Sequence, residues 1–314
     1  MGNSNQKLKL IIFPTEECNF RCKYCYENFN IGKMKPEVVE GIKNLLFERS
    51  KDLNRLDIEW FGGEPLLAYD IIEDLLIYAR NLSKKYNFTL ESRMTTNASL
   101  FSPKLQPKLI GLGITEYQIS FDGDREMHDK YRVTRGDTSS FDIIYNNLIN
   151  FHKTELDATT IIRIHVNDKN YSSVERLLER MASDFENDQR MRFFIRGLSR
   201  MGGKNNMIIP VVDDMSKLNS MVTQLRNKAT NLGLMVYGSN ESQKYVCYAA
   251  SFNSYIVRST GAIGKCTVAL YDEKNIVGKL SRNGKIVLDK ERLKFWVRGQ
   301  FSHNSSELEC PLQE

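Results

Sequence analysis

No stretch of this sequence is apolar for long enough to cross a bilayer, and no signal peptide opens it. Those absences exclude a membrane-spanning helix and predict a cytoplasmic chain with no membrane partner. Low-complexity tracts and long runs of one charge are also missing. The 44 basic and 39 acidic residues leave a net charge of only +5, too little to indicate a nucleic-acid partner. There are four histidines, and the first is His128. Six cysteines in such a chain read better as metal ligands than as disulfides. The 314 residues, 41% of them apolar, suffice for one large core and a smaller attached domain.

Three of the cysteines lie in one short stretch, Glu17-Cys18-Asn19-Phe20-Arg21-Cys22-Lys23-Tyr24-Cys25-Tyr26-Glu27, with the spacing C-x3-C-x2-C. A closed zinc site wants four ligands, and the next cysteine is Cys247. A four-iron cube held by three cysteines instead keeps one iron for a non-protein ligand. A zinc knuckle or an inert, reduced loop is the plainer alternative.

Around this loop the pattern alternates between strand and helix. Strands are predicted at 7–13, 56–61, 88–95, 117–121, 159–166 and 191–196, with a weaker one at 209–212. Helices are predicted at 36–48, 69–85, 102–109, 141–153, 174–185 and 213–231. Repeated β–α units of this length make a parallel sheet with right-handed crossovers, and six or so units make an open, partial barrel. The cysteine loop follows the first strand, on the face where such folds build their sites. Phe61-Gly62-Gly63-Glu64-Pro65 follows the second. Two glycines there let the backbone approach a ligand, and a glutamate can pair with an ammonium group. An ordinary strand-to-helix turn is the alternative. Thr96, Asn97, Ser120, Asp122 and Arg163 lie at or near later strand ends, and Arg163 could fork onto a carboxylate. His165 reads as a core residue, and 196–207 as a solvated basic loop.

The cysteine loop, with Tyr24 just before its last cysteine, and the GGEP turn together resemble radical S-adenosylmethionine (SAM) enzymes. The resemblance implies an α/β partial (β/α)6 barrel and a 4Fe–4S cluster on Cys18, Cys22 and Cys25. SAM would chelate the open iron and be split to a 5′-deoxyadenosyl radical. Gly62, Gly63, Glu64 and Pro65 would line its amino group. Ser120, Asp122 and Arg163 would contact its ribose or carboxylate, with Tyr24, Thr96 and Asn97 as further contacts. The run from Ser120 through His128 and Asp129 to Arg132 is similar to one in peptide-modifying members of the family.

The composition changes after Gly233, which suggests a barrel over 1–232 and a second domain over 233–314. Cys247, Gly261 and Cys266 suit a β-hairpin that brings two thiols together, and Asn283-Gly284 suits a second hairpin turn between 275–280 and 285–288. A helix is predicted at 290–301, ahead of Cys310. The spacing resembles the opening of the SPASM and twitch extensions, which hold auxiliary iron–sulfur clusters. Cys247, Cys266 and Cys310 supply three ligands, enough for one such cluster. The fourth would be a non-cysteine residue, a substrate group or a residue lost by truncation. His303, Glu307 and Glu309 lie near in sequence without being assigned. Three structural cysteines or a zinc site are the alternatives.

The expectation is a radical SAM oxidoreductase acting on a precursor peptide or protein, as in maturation of ribosomally made peptides (RiPPs) or, more distantly, anaerobic sulfatase maturation. The product would be a cross-link, a thioether or a carbonyl. A flavodoxin or ferredoxin would supply electrons. The few residues ahead of the first strand predict no separate leader-binding domain. The alternatives are a twitch-type dehydrogenase of a small alcohol or sugar, and a non-enzymatic metal scaffold.

Overall fold

A computed structural model describes residues 5–136, 138–202, 206–238 and 245–312. The polar lead-in at Asn3 and Ser4, part of the 196–207 loop, and Gln313 with Glu314 lie outside the described residues.

In chain order the elements are β1 (Lys7–Ile12), α1 (Pro36–Ser50), β2 (Arg55–Trp60), α2 (Tyr69–Tyr86), β3 (Thr89–Thr96), α3 (Gln106–Gly111) and β4 (Ile114–Phe121). Next come α4 (Arg125–Tyr131), α5 (Ser140–His152), β5 (Thr159–Val166), α6 (Tyr171–Asp184), β6 (Met191–Gly197), α7 (Met215–Asn231) and β7 (Met235–Val236). The last part holds β8 (Ser254–Val257), β9 (Ala262–Gly264), β10 (Gly278–Leu280), β11 (Ile286–Leu288), α8 (Lys290–Val297), α9 (Gly299–Ser302) and α10 (Ser305–Glu309).

The chain divides into two compact units. The first holds 1–17, 29–93 and 240–314; the second holds 18–28 and 94–239. In the first, β1 pairs in parallel with β2 on one side and β8 on the other. An antiparallel run β8-β9-β10-β11 then follows. Leu10, Ile12, Ile58 and Trp60 are fully buried, and the Trp60 indole N–H donates to Ser92 Oγ at 3.0 Å, so its polar end is satisfied. Gly261 (φ 83°) turns the β8–β9 hairpin and Gly284 (φ 83°) the β10–β11 hairpin, as the glycine positions predict. The second hairpin packs hard on α1. A Cβ on Gly284 would meet Leu45 N at 2.4 Å, and one on Gly41 would meet the Ser281 carbonyl oxygen at 2.6 Å.

In the second unit β4, β5, β6 and β7 are parallel neighbours. Tyr117, Ile119, Phe121, Ile162, Ile164, Phe193 and Ile195 alternate along these strands and are fully buried. α6 and α7 pack on this sheet. The opposite face carries Ser120, Asp122, Arg163, His165, Phe194 and Arg196, in register as Ser120↔Arg163↔Phe194 and His165↔Arg196.

Three sequence expectations are corrected. Residues 209–212 form no strand, since Pro210 removes a donor that a sheet needs. The helix expected at 290–301 is broken into α8 and α9, at Arg298 just before Gly299. The seven-residue α4 was not expected; Asp124 caps it by accepting from the Met127 N–H at 3.4 Å.

His128 on α4 is buried with its ring 5.0 Å from Phe121 and 5.5 Å from Phe141, and neither ring nitrogen has a hydrogen-bond partner. Burial, with the Arg132 charge adding, pushes its pKa from 6.5 down to about 3. Burial likewise brings His165 down to about 4, against the pull of Asp122. Both therefore favour folding above their unfolded value, and that contribution is lost as pH falls from about 6.5 through about 4 to about 3. For His128 the full effect is on the order of 4 kcal/mol. Urea unfolding of the metal-free protein should show its midpoint falling steadily from pH 6.5 to 4, with a shallower fall in His128→Met. A flat profile over that range would refute the reading.

Candidate active site

The cysteine loop belongs to the second unit, where backbone bonds stitch it to 131–135. Arg21 N–H donates to the Val133 carbonyl at 2.6 Å, Lys23 N–H to that of Tyr131 at 2.8 Å, and Arg135 N–H to that of Asn19 at 3.0 Å. The Arg21 guanidinium donates to the carbonyls of Cys18 (2.7 Å) and Phe20 (2.6 Å). These bonds hold a short loop in one conformation without regular secondary structure.

Among the described residues none of the three cysteines forms a disulfide. Cys18 is buried; Cys22 and Cys25 are half-buried. The Cys18 sulfur accepts from the Phe20 N–H at 3.3 Å, and Asn97 Nδ2 lies 3.9 Å from it. Burial raises the Cys22 thiol, with Asp122 adding to the rise against Arg132. Burial, then Glu27 and Cys22, pushes Cys25 up to about 12. Without a metal these thiols stay protonated, and a bound iron must displace the protons.

Tyr24 lies inside a buried polar network. Its hydroxyl donates to Asp122 Oδ2 at 2.6 Å and accepts from Arg132 Nη1 at 2.7 Å. His165 Nδ1 lies 3.3 Å from Asp122 Oδ1, and its ring is 5.5 Å from the Tyr24 ring. His165 is thus buried and also faces Asp122. Burial alone would raise the Asp122 carboxyl, but the His165 hydrogen bond and nearby positive charge hold it below the usual range. Asn97 Nδ2 donates to Asn19 Oδ1 at 2.8 Å, bracing the loop from the end of β3. Thr96 Oγ1 accepts from the Ala98 N–H at 3.0 Å. Ser120 and Arg163 are cross-strand partners. Arg163 Nε is buried without a hydrogen-bond partner. Burial, with Arg196 adding, lowers its pKa to about 10. An incoming carboxylate would complete that guanidinium.

In the first unit the GGEP turn folds against 15–17. Glu64 N–H donates to the Glu17 carbonyl at 2.8 Å. A Cβ on Gly62 would meet the Thr15 carbonyl oxygen at 2.3 Å, and one on Gly63 that of Glu17 at 2.2 Å. Both glycines are therefore demanded by the protein's own backbone. Glu64 is fully buried, and its carboxylate accepts from the Leu66 N–H at 3.0 Å, capping the turn that starts at Pro65. Glu16 is also buried; its carboxylate takes the Arg258 guanidinium together with Ser259 N–H (3.3 Å) and Oγ–H (3.1 Å).

Cys247, Cys266 and Cys310 gather in the same unit. Cys247 N–H donates to the Leu308 carbonyl at 2.8 Å, two residues before Cys310. Asn275 brackets Cys266, accepting from its N–H and donating to its carbonyl, both at 2.8 Å. Burial raises the Cys247 and Cys266 thiols. Cys310 adds to both rises, so the three sulfurs lie within electrostatic reach of one another. Among the described residues no group of three or more His, Cys, Asp or Glu is placed to hold a single metal ion.

Residues that sequence reasoning did not single out are Arg132, named only as the end of a stretch, and the pair Glu16–Arg258. A buried arginine is costly without a partner, but a sequence does not reveal which arginines are buried.

Residues 12–181 match the Radical SAM superfamily. The chain belongs to that superfamily, and its cofactors are SAM and a 4Fe–4S cluster. It is 27% identical over 176 residues to a cysteine-type anaerobic sulfatase-maturating enzyme of Clostridium novyi (strain NT), covering 50% of this chain and 44% of that one. It thus spans less than half of that relative's length. It is 25% identical over 293 residues to the uncharacterized protein MJ0907 of Methanocaldococcus jannaschii, covering 91% of this chain and 93% of that one. The structure of native anSMEcpe with bound AdoMet and Cp18Cys peptide superposes with a TM-score of 0.68 at 20% identity, covering 91% of this chain and 80% of that one. That likeness shows the fold, the α/β partial barrel expected from the strand–helix alternation. Among the described residues no helix is long and apolar enough to cross a membrane.

Proposed function

We propose that this radical SAM enzyme oxidises a residue of a peptide or protein, in the manner of a RiPP maturase. The three-cysteine loop carries the first half of the reading, since three cysteines outside any disulfide on one braced loop would leave a four-iron cube one iron short of protein ligands. When bound there, cluster and SAM would supply reductive cleavage to a 5′-deoxyadenosyl radical able to take a hydrogen atom from carbon. The chain's own residues bind and orient. Arg163 offers a fork to the carboxylate of SAM. Arg132 and Asp122 fix the Tyr24 hydroxyl, so that the ring has one orientation beside the last cysteine. Burial of these groups excludes water, which strengthens the hydrogen bonds that hold them in place. Thr96, Asn97 and Ser120 complete the SAM contacts in this reading.

In this reading Cys247, Cys266 and Cys310, which lie in one unit and outside any disulfide, would hold one auxiliary cluster, with Asn275 bracketing Cys266 and the Leu308 carbonyl accepting from Cys247 N–H. Such a cluster would accept the electron left on the substrate radical, with a flavodoxin- or ferredoxin-type donor serving the first. The peptide half of the reading is supported by similarity to a sulfatase-maturating enzyme and by the peptide held in the anSMEcpe structure.

The test is anaerobic reconstitution with dithionite, SAM and candidate precursor peptides encoded beside the gene. The expected result is 5′-deoxyadenosine formed in step with a peptide whose mass has fallen by a pair of hydrogens. Formation of 5′-deoxyadenosine with no peptide altered, and a small alcohol or sugar oxidised instead, would overturn it.

A further inference from the structure

Three arginines stand on the polar face of the second unit's sheet. Arg163 lies on β5, and Arg192 and Arg196 lie on β6. Arg192, Phe194 and Arg196 alternate along one strand, so their side chains share a face. In register, Phe194 sits beside Arg163, and Arg196 beside His165. All three arginines are half-buried. The Nε atoms of Arg163 and Arg192 are both buried without a hydrogen-bond partner. Neither side chain makes a hydrogen bond or ion pair with a described residue. Among the described residues Arg196 reaches only Ser199 Oγ, at 3.5 Å.

Charge balance makes this arrangement informative. Cations withdrawn from water without partners are costly, and a bound anion removes the cost. Among the described residues two carboxylates share this face: Asp122, already engaged with Tyr24 and His165, and Glu116 at the start of β4, which is not without a partner. The single carboxylate of SAM can satisfy one guanidinium, and Arg163 is level with Ser120 at the site. The sulfonium and ammonium of SAM bring further positive charge. Arg192 and Arg196 are left for another anion. Their place in the sheet says where it comes from. β6 is flanked by the two-residue β7, which ends the strand order, and Tyr237 just beyond meets the Phe194 ring edge-on at 6.2 Å. The arginines therefore lie along the strand next to a short sheet edge, Arg196 at its carboxyl end level with His165 and Arg192 at its start, with Phe194 between them.

We infer that Arg192 and Arg196, about 13 Å apart along the strand, each bind a carboxylate of the peptide substrate, so that the enzyme selects acidic peptides. The inference rests on the peptide reading above. Arginine suits the task because its planar fork matches a carboxylate. The carboxylate could belong to an Asp or Glu side chain or to the peptide's end.

The probe is a random short-peptide library, prepared with free and with amide-capped carboxyl ends. It is passed over the immobilised, reconstituted protein with SAM, and retained peptides are sequenced by mass spectrometry. The expected result is enrichment of Asp- or Glu-containing peptides if a side chain is bound, or of the free-ended library alone if the end is bound. Arg192→Gln and Arg196→Gln should each cut that enrichment by about tenfold. Arg192→Lys should keep part of it, because the charge remains without the fork. Far-UV circular dichroism and iron content report whether each variant is folded; if the Gln variants are not, the wild-type preference decides alone. Equal retention of acid-free and acidic peptides would overturn this inference and leave the peptide reading standing. Retention of no peptide at all would overturn both.

Discussion

Replacing any one of Cys18, Cys22 and Cys25 by alanine should reduce 5′-deoxyadenosine formation to background, a loss of at least about a thousandfold. On the proposed assignment each thiol would serve one iron, and two thiols on an otherwise hydrogen-bonded loop would not keep a cube oriented. The loop itself should survive, because bonds to 131–135 and the Arg21 side chain hold it, although Cys18→Ala also removes the acceptor of the Phe20 N–H. Circular dichroism should therefore be unchanged while iron and sulfide fall. Alanine at Cys247, Cys266 or Cys310 should remove a different share of the iron and still permit SAM cleavage. A Cys22→Ala protein that cleaves SAM at the native rate, or a native protein that holds stoichiometric zinc at this loop, would defeat the assignment.

The second large effect concerns Glu16 and Arg258. Glu16→Ala should destabilise the fold by about 3–5 kcal/mol, because it strands a guanidinium that is only 8% exposed. The Glu16 carboxylate itself is 2% exposed and is met by Arg258 and by both Ser259 donors. Arg258 has other anchors, donating to the Leu270 carbonyl at 3.0 Å and lying 5.3 Å from the centre of the Tyr271 ring. Those cannot neutralise its charge. The double change Glu16→Gln with Arg258→Met should recover much of the loss, since no unpaired charge remains. Apparent melting temperatures of the single and double variants decide the matter. A single variant as stable as the native protein would show that water reaches the pair.

Much of this organisation is legible in the chain. The strand expected at 159–166 is β5 residue for residue, and those at 7–13 and 191–196 differ from β1 and β6 by a single residue, because continuous β-branched and aromatic runs have one reading. α4 was missed because REMHDKY shows no apolar stripe; its cap and His128 hold it down. The cysteine loop and the GGEP turn were visible as spacing. What spacing could not reveal was the set of braces. Arg132 meets Tyr24 across 108 positions, and Arg258 meets Glu16 across 242. Such pairs follow from the fold, not from local pattern. The glycines of the GGEP turn show the converse. The sequence reads them as room for a ligand, whereas the carbonyls of Thr15 and Glu17 already fill the space a side chain would need.

Gly41 on α1 and Gly284 in the last hairpin turn meet backbone on both sides, so neither position has room for a methyl group. This pair acts as a dowel. It fixes where the hairpin must start whatever happens elsewhere in the cysteine-bearing tail. A residue gained or lost in the turn itself would therefore pull the hairpin off its helix.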